Sequence, residues 1–120
     1  NAYAFCLPSD LEGLPIVLLE AMGNGRCCLV SDIPEMVEVV DPRRLGYSPS
    51  SADAPEGPYG YTFKQGNVED LAEQLRTLIA SPREVEAMRS TARRYVQIEY
   101  SWDHIAAEYE RVYASVVNAR

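Results

Sequence analysis

Glu12 and Glu20 are the residues whose type and spacing could do chemistry, in the stretch Glu-Gly-Leu-Pro-Ile-Val-Leu-Leu-Glu-Ala-Met at residues 12–22. On one continuous helix a separation of eight residues would set the two carboxylates about 80° apart, at roughly 100° per residue. They need not share a helix. Pro15 suits a first helical turn, where a missing N–H costs nothing, so Glu12 falls in the preceding loop and Glu20 in the second turn. This predicts two carboxylates at two depths of one pocket. Between Pro15 and Met22 every residue except Glu20 is apolar, which predicts a helix buried almost all round and leaves Glu20 as a charge in an apolar setting. Such a charge is expensive unless its oxygens are satisfied, and no lysine or arginine comes before Arg26, so a ligand bearing hydroxyls would suit it. At the helix start the N–H groups of Gly13, Leu14, Ile16 and Val17 have no intrahelical partners, and the macrodipole adds positive potential. That is the chemistry of an anion site, suited to a phosphate.

The elements that must position these groups follow from hydrophobic runs and turn residues. Residues 2–7 (Ala-Tyr-Ala-Phe-Cys-Leu) form a continuous apolar run ended by Pro8, as in a parallel strand buried on both faces, and residues 8–14 are the loop at its carboxyl end. Gly23-Asn24-Gly25 stops the first helix. A second strand at residues 26–30 leads to Ser31-Asp32-Ile33-Pro34, which opens a short helix through about Val40. Strand, helix, strand, helix with short connections predicts a right-handed parallel α/β unit, whose ligands sit beyond the carboxyl ends of the strands. Both polar loops lie on that side.

Residues 41–60 carry prolines at positions 42, 49, 55 and 58 and read as an irregular loop. Tyr61-Thr62-Phe63 can form a third short strand, and Asn67 caps a helix with Leu71, Leu75, Leu78 and Ile79 on one face. Ser81-Pro82-Arg83-Glu84 is a capping box opening a helix whose stripe is Val85, Met88, Ala92, Tyr95 and Val96. Ser101 caps a last helix in which Trp102, Ile105, Tyr109, Val112, Tyr113 and Val116 recur at helical spacing, for core or interdomain packing. Arg89, Arg93 and Arg94 read as a solvated face, with interdomain contact as the functional alternative, and His104, the one histidine, as a helix-surface residue with no triad partner by motif.

Composition narrows the function classes. The 120 residues allow one domain at most, and no apolar run approaches the roughly 20 residues needed to span a bilayer. Eighteen acidic against 11 basic residues give a formal net charge of -7, which disfavours nucleic acid and means that an anionic ligand must be held by a local device such as helix-end amides. Cys6, Cys27 and Cys28 lack metal or redox spacing and read as buried free thiols in a reducing cytoplasm. The chain enters a strand pattern almost at once and without an initiator methionine, as a piece of a longer protein would.

Taken in order, Leu7-Pro8-Ser9, Glu12 to Glu20 as an E-x7-E motif, Glu20-Ala21-Met22 with Gly25, Ser31-Asp32-Ile33-Pro34-Glu35 with Glu38-Val39-Val40, Gly60-Tyr61-Thr62-Phe63, and Tyr100-Ser101-Trp102 with Tyr113 resemble the GT-B fold glycosyltransferases of family 4. Members of that family are retaining enzymes that use nucleotide-sugar donors. The resemblance runs essentially end to end. It implies an α/β fold: a partial Rossmann-like parallel sheet of about three strands with flanking helices and two C-terminal helices, the second half of a GT-B donor domain, with residues 1–120 forming a single partial domain. It implies that Glu12 lies beside the donor sugar, as a positioning or catalytic group, and that Glu20 takes the ribose hydroxyls. The amides of Gly13, Leu14, Ile16 and Val17 would then face sugar hydroxyls and pyrophosphate. Pro15 offers no N–H where family members with glycine have one.

The implied reaction is transfer of a hexose from a UDP- or GDP-sugar to a glycan or lipid-linked acceptor, with no cofactor and no metal. The resemblance also implies that the upstream part of the donor domain, with its arginine and lysine for the pyrophosphate, and the acceptor domain lie outside this chain, which leaves a sheet edge open and the isolated chain marginally stable and inactive. The expected setting is cytoplasmic, with peripheral association at the inner membrane face left open for the parent protein. Two other readings stand beside it: a noncatalytic nucleotide-sugar-binding module, and an interaction domain in which the paired glutamates merely cap or pair locally.

Overall fold

In the computed structural model, which describes residues 2–119, β1 (Ala4–Leu7) leads to α1 (Ile16–Gly23), β2 (Cys27–Ser31) and α2 (Pro34–Val40). A 3-10 turn at Pro42–Leu45 and a long loop precede β3 (Tyr61–Phe63), and α3 (Val68–Ala80), α4 (Pro82–Glu99) and α5 (Trp102–Asn118) complete the chain. The sheet has the order β1-β2-β3 and is parallel throughout, with Ala4 opposite Cys27, Leu7 opposite Val30, and Ser31 opposite Phe63. This is the expected α/β architecture.

Because side chains alternate across a strand, central β2 feeds two cores. Cys28 and Val30 point into a cluster with Leu18 and Met22 of α1, Met36 and Val40 of α2, Tyr59, and Ala92 and Tyr95 of α4. Cys27 and Leu29 point the other way, to Phe63, Leu78 of α3 and Val85 of α4. All five residues of β2 are buried, the apolar Cys27 to Val30 as a central parallel strand requires and Ser31 with its hydroxyl donating to the Ser9 carbonyl. Tyr59 and Tyr95 stack in the larger core with centroids 3.6 Å apart and planes at 4°. In chain order, Gly60 then brings the backbone against Val40 and the Cys28 carbonyl.

Several expectations fail for one reason: what lies at an edge is covered on one side only. β1 is not buried on both faces but is partly exposed, and Cys6 is exposed, while Cys27 and Cys28 are buried free thiols. α1 is not buried all round. It sinks only Leu18 and Met22, one i, i+4 stripe, and leaves Ile16 and Val17 59% and 54% exposed and Glu20 exposed. On α3 only Leu71 and Leu78 reach the second core, whereas Leu75 and Ile79 face outward. α5 has no buried residue, so its apolar stripe is not core within the described residues.

The helix ends also differ in part. Asn67 and Ser101 cap as expected, their side chains accepting from the backbone N–H of Asp70 at 2.9 Å and of His104 at 3.1 Å. Ser81 caps without its side chain, and only its carbonyl accepts, from Val85 N–H at 3.0 Å, so the capping box is not formed. Ser31 belongs to β2 and not to the helix start, and Ile33 precedes the first turn of α2. The proline-rich loop is not wholly irregular, since it contains the 3-10 turn and closes with the Tyr59 amide donating to the Val40 carbonyl at 2.6 Å. Arg89 is not simply solvated: its Nε donates to the Gly25 carbonyl at 2.8 Å and pins α4 to the residue before Arg26 and β2.

Candidate functional site

The carboxyl ends of the three strands are tied into one rim. After β1, Ser9 donates its hydroxyl to Glu12 Oε1 at 2.8 Å, and the buried Ser31 hydroxyl, at the end of β2, donates to the Ser9 carbonyl. After β3, the Gln65 amide donates to Asp32 Oδ1 at 2.9 Å, and its side-chain nitrogen reaches the Asp10 carbonyl at 3.3 Å. Asp32 N–H in turn donates to the Phe63 carbonyl at 3.0 Å. Glu12 is thus a half-buried carboxylate held by a serine that is itself fixed by the neighbouring strand.

Of the four amides expected at the start of α1, three are free. Ile16 N–H donates to the Leu14 carbonyl at 2.9 Å, a local turn that removes it from the donor set. Gly13, Leu14 and Val17 N–H have no backbone acceptor among the described residues, as the geometry of a helix start dictates. Gly13 and Leu14, with Pro15, open onto a cavity of about 340 Å³ whose other wall is Glu35 and Glu38 of α2 and Tyr100 at the end of α4. The lining thus combines residues whose N–H groups have no backbone acceptor with two that carry carboxylates, a composition that suits a ligand rich in hydroxyls. Burial pushes the Tyr100 phenol above its ordinary pKa, so it remains a neutral hydrogen-bonding wall.

Glu20 is not a buried charge. It lies on the outer side of α1, in a depression shared with Phe5, Val17, Ala21 and Arg26 beside the outer strand β1, and that depression does not include Glu12. The two glutamates are therefore presented on one helix and its leading loop but not in a single enclosed pocket. Glu20 is exposed because α1 turns Leu18 and Met22 inward and nothing among the described residues covers the opposite side.

Sequence reasoning missed a second group of side chains. His104 is not a bare surface residue: its side chain is 20% exposed, and its Nε2 lies 2.7 Å from Ser50 Oγ. Ser50 also meets Glu99, and with Leu14, Tyr100 and Tyr109 these residues line a groove of about 490 Å³ that shares Leu14 and Tyr100 with the cavity at α1. Sequence separations of 49 and 54 residues hid the cluster. Glu35, Glu38 and Tyr100 stood in recognisable motifs, yet only the fold turns them to one cavity.

Comparison with known proteins gives a consistent result. The family model described as "Glycosyl transferases group 1" matches residues 1–95. The MMP alpha-(1->4)-mannosyltransferase of Mycolicibacterium hassiacum is 27% identical over 117 residues, covering 98% of this chain and 25% of that protein. The sulfoquinovosyl transferase SQD2 of Arabidopsis thaliana is 33% identical over 106 residues, 85% of this chain and 18% of its own length. The alpha-maltose-1-phosphate synthase of Mycolicibacterium smegmatis is 31% identical over 119 residues, 96% and 28% respectively. Among solved structures, sucrose-phosphate synthase from Thermosynechococcus elongatus superposes with a TM-score of 0.74 at 21% identity, over 99% of this chain and 26% of that one, which shows a shared fold. The chain spans about a quarter of the length of the relatives it matches.

Proposed function

Because the chain belongs to the glycosyl transferases group 1 family, we propose that it is the C-terminal portion of the donor-binding domain of a retaining, GT-B, family 4 glycosyltransferase. The parent protein moves a hexose from a UDP- or GDP-sugar to a glycan or lipid-linked acceptor. The loop after β1 carries this reading: a carboxylate held by Ser9, followed by the free Gly13 and Leu14 amides, opening on a cavity walled by Glu35, Glu38 and Tyr100.

In this reading the sugar occupies that cavity, its hydroxyls donating to carboxylates and accepting from N–H groups, with Glu12 beside it as the positioning group. The pyrophosphate lies over the start of α1, where the Val17 amide and the helix dipole favour negative charge. Glu35 and Glu38 would repel a diphosphate placed deeper, so the neutral sugar takes the interior and the charged part the helix end. Glu20, exposed and with no protein partner for its carboxylate among the described residues, bonds the vicinal ribose hydroxyls. The cations that neutralise the pyrophosphate come from the rest of the parent protein, and the isolated chain is inactive. A cytoplasmic setting fits the three free cysteines, and no helix among the described residues is long and apolar enough to cross a membrane.

The test is calorimetric titration of the parent protein with UDP and GDP, followed by sugar-transfer assays. One nucleotide binds, Glu20→Ala weakens it roughly ten- to a hundredfold, as for the loss of charge-assisted hydrogen bonds, and Glu12→Ala depresses transfer more than nucleotide affinity. Absence of binding by either nucleotide, or affinity indifferent to Glu20→Ala, would sink the proposal.

A further inference from the structure

We infer that Ser50, Ser51, Glu99 and His104 form a polar clasp that fixes the angle at which α5 leaves the body of the chain. α5 is held only through its first two turns. His104, Ile105 and Glu108 are partly buried, whereas every residue at 109–119 is exposed. It joins α4 through just two residues, Tyr100 and Ser101. A helix so attached swings unless something braces its root, and few apolar contacts are there to do so.

The bracing group is Glu99, whose side chain is 9% exposed. Its carboxylate accepts from the Ser50 amide at 3.1 Å, the Ser51 amide at 2.8 Å and the Ser50 hydroxyl at 2.9 Å. Ser50 has one hydroxyl proton and gives it to Glu99, so at 2.7 Å its oxygen accepts from His104, which must carry a proton on Nε2. The chain of bonds runs from the end of α4 through the 46–60 loop to the first turn of α5, and it joins the two helices a second time beside the covalent link. This is not a hydrolytic dyad: a nucleophilic serine needs Nε2 as its acceptor and a carboxylate on Nδ1, whereas here Nε2 donates and the carboxylate grips the serine. Because α5 walls the groove that meets the cavity at Leu14 and Tyr100, the clasp also sets the width of that groove. This assignment stands independently of the reaction proposed above.

Nuclear magnetic resonance of the whole 120-residue chain tests it. In Glu99→Ala, amide hydrogen exchange at Ser50 and Ser51 rises at least about tenfold and the residual dipolar couplings of α5 shrink relative to those of β2, as for a helix freed at its root. Unchanged α5 couplings over an intact β2 overturn the inference. Ser50→Ala keeps both amide bonds to Glu99 but cuts the bridge to His104; the imidazole nitrogen resonances then shift from the Nε2–H pattern and α5 loosens partway. Should Glu99→Ala also disorder β2, this second variant decides: His104 resonances and α5 couplings identical to those of the parent chain overturn the clasp.

Discussion

Replacing Gly60 with alanine builds a methyl group into a space that is already filled. A Cβ there would stand 2.9 Å from Val40 Cγ1, 3.1 Å from Val40 Cβ and 3.3 Å from the Cys28 carbonyl oxygen. Val40 is fully buried and cannot swing outward, and Cys28 lies in the central strand, paired with Phe5 of β1. Overpacking of this kind costs about 1–3 kcal/mol, against which the stiffer unfolded chain returns about 0.4–1 kcal/mol. The net loss is about 1–2 kcal/mol, or roughly 4–8 °C in melting temperature for a chain of this size. Far-ultraviolet circular dichroism during thermal and urea unfolding reads it, with an unchanged urea slope showing that the native state remains compact. Val40→Ala alone opens a cavity, but in that background Gly60→Ala costs little, so a double-mutant cycle returns a favourable coupling of about 1 kcal/mol. Refutation would be a Gly60→Ala protein that melts at or above the parent temperature, or a cycle with no coupling. The site is affected too, since Gly60 seats β3 and β3 delivers Gln65 to Asp32 and Asp10.

Three further outcomes follow from burial and capping. A thiol reagent at mildly alkaline pH labels Cys6 first and reaches Cys27 and Cys28 only on unfolding; rapid labelling of all three contradicts the placement of β2. Burial pushes Cys27 up to about 11, despite Arg89, and Cys28 to about 12 from an ordinary 9.0, so the unfolded chain loses these protons first. Their contribution to stability is therefore fully present below pH 9 and is lost as pH rises from about 9 towards 12; a melting temperature flat across that window would contradict it. Asn67→Ala removes the side-chain acceptor of the Asp70 amide and costs about 1 kcal/mol in urea unfolding, while Asn67→Asp leaves stability near the parent value.

Much of the fold was legible because β2 opens with a four-residue apolar run, Cys27 to Val30, and such a run has one good home, the centre of a parallel sheet. Asn67 and Ser101 declared their helices through local chemistry that tertiary contacts did not override. The same rules misread β1 and α1, because apolar content tells how a residue would like to be placed and not whether a neighbour exists to cover it. Ile16, Val17 and Cys6 are as apolar as residues of the core, yet they lie on uncovered sides of edge elements. For the site, the loop amides could be anticipated from Pro15 and the helix start. The diversion of Ile16 N–H to Leu14 could not, since it depends on the φ and ψ of a single turn. Glu99 and His104 carried no local signal at all, as each is defined by a partner some fifty residues away.

Trp102 is the chain's one tryptophan, and it sits 85% exposed on the first turn of α5. Its indole is solvated in the folded chain and remains so in the unfolded one, so its emission is nearly silent while either core melts. That silence makes it a clean optical reporter of a different event. A blue shift of its fluorescence signals that something has come to rest on the root of α5, and the eight tyrosines, including the stacked Tyr59 and Tyr95, are left to report on the body of the protein. Docking and unfolding can thus be followed in one cuvette, at two wavelengths, without adding a label.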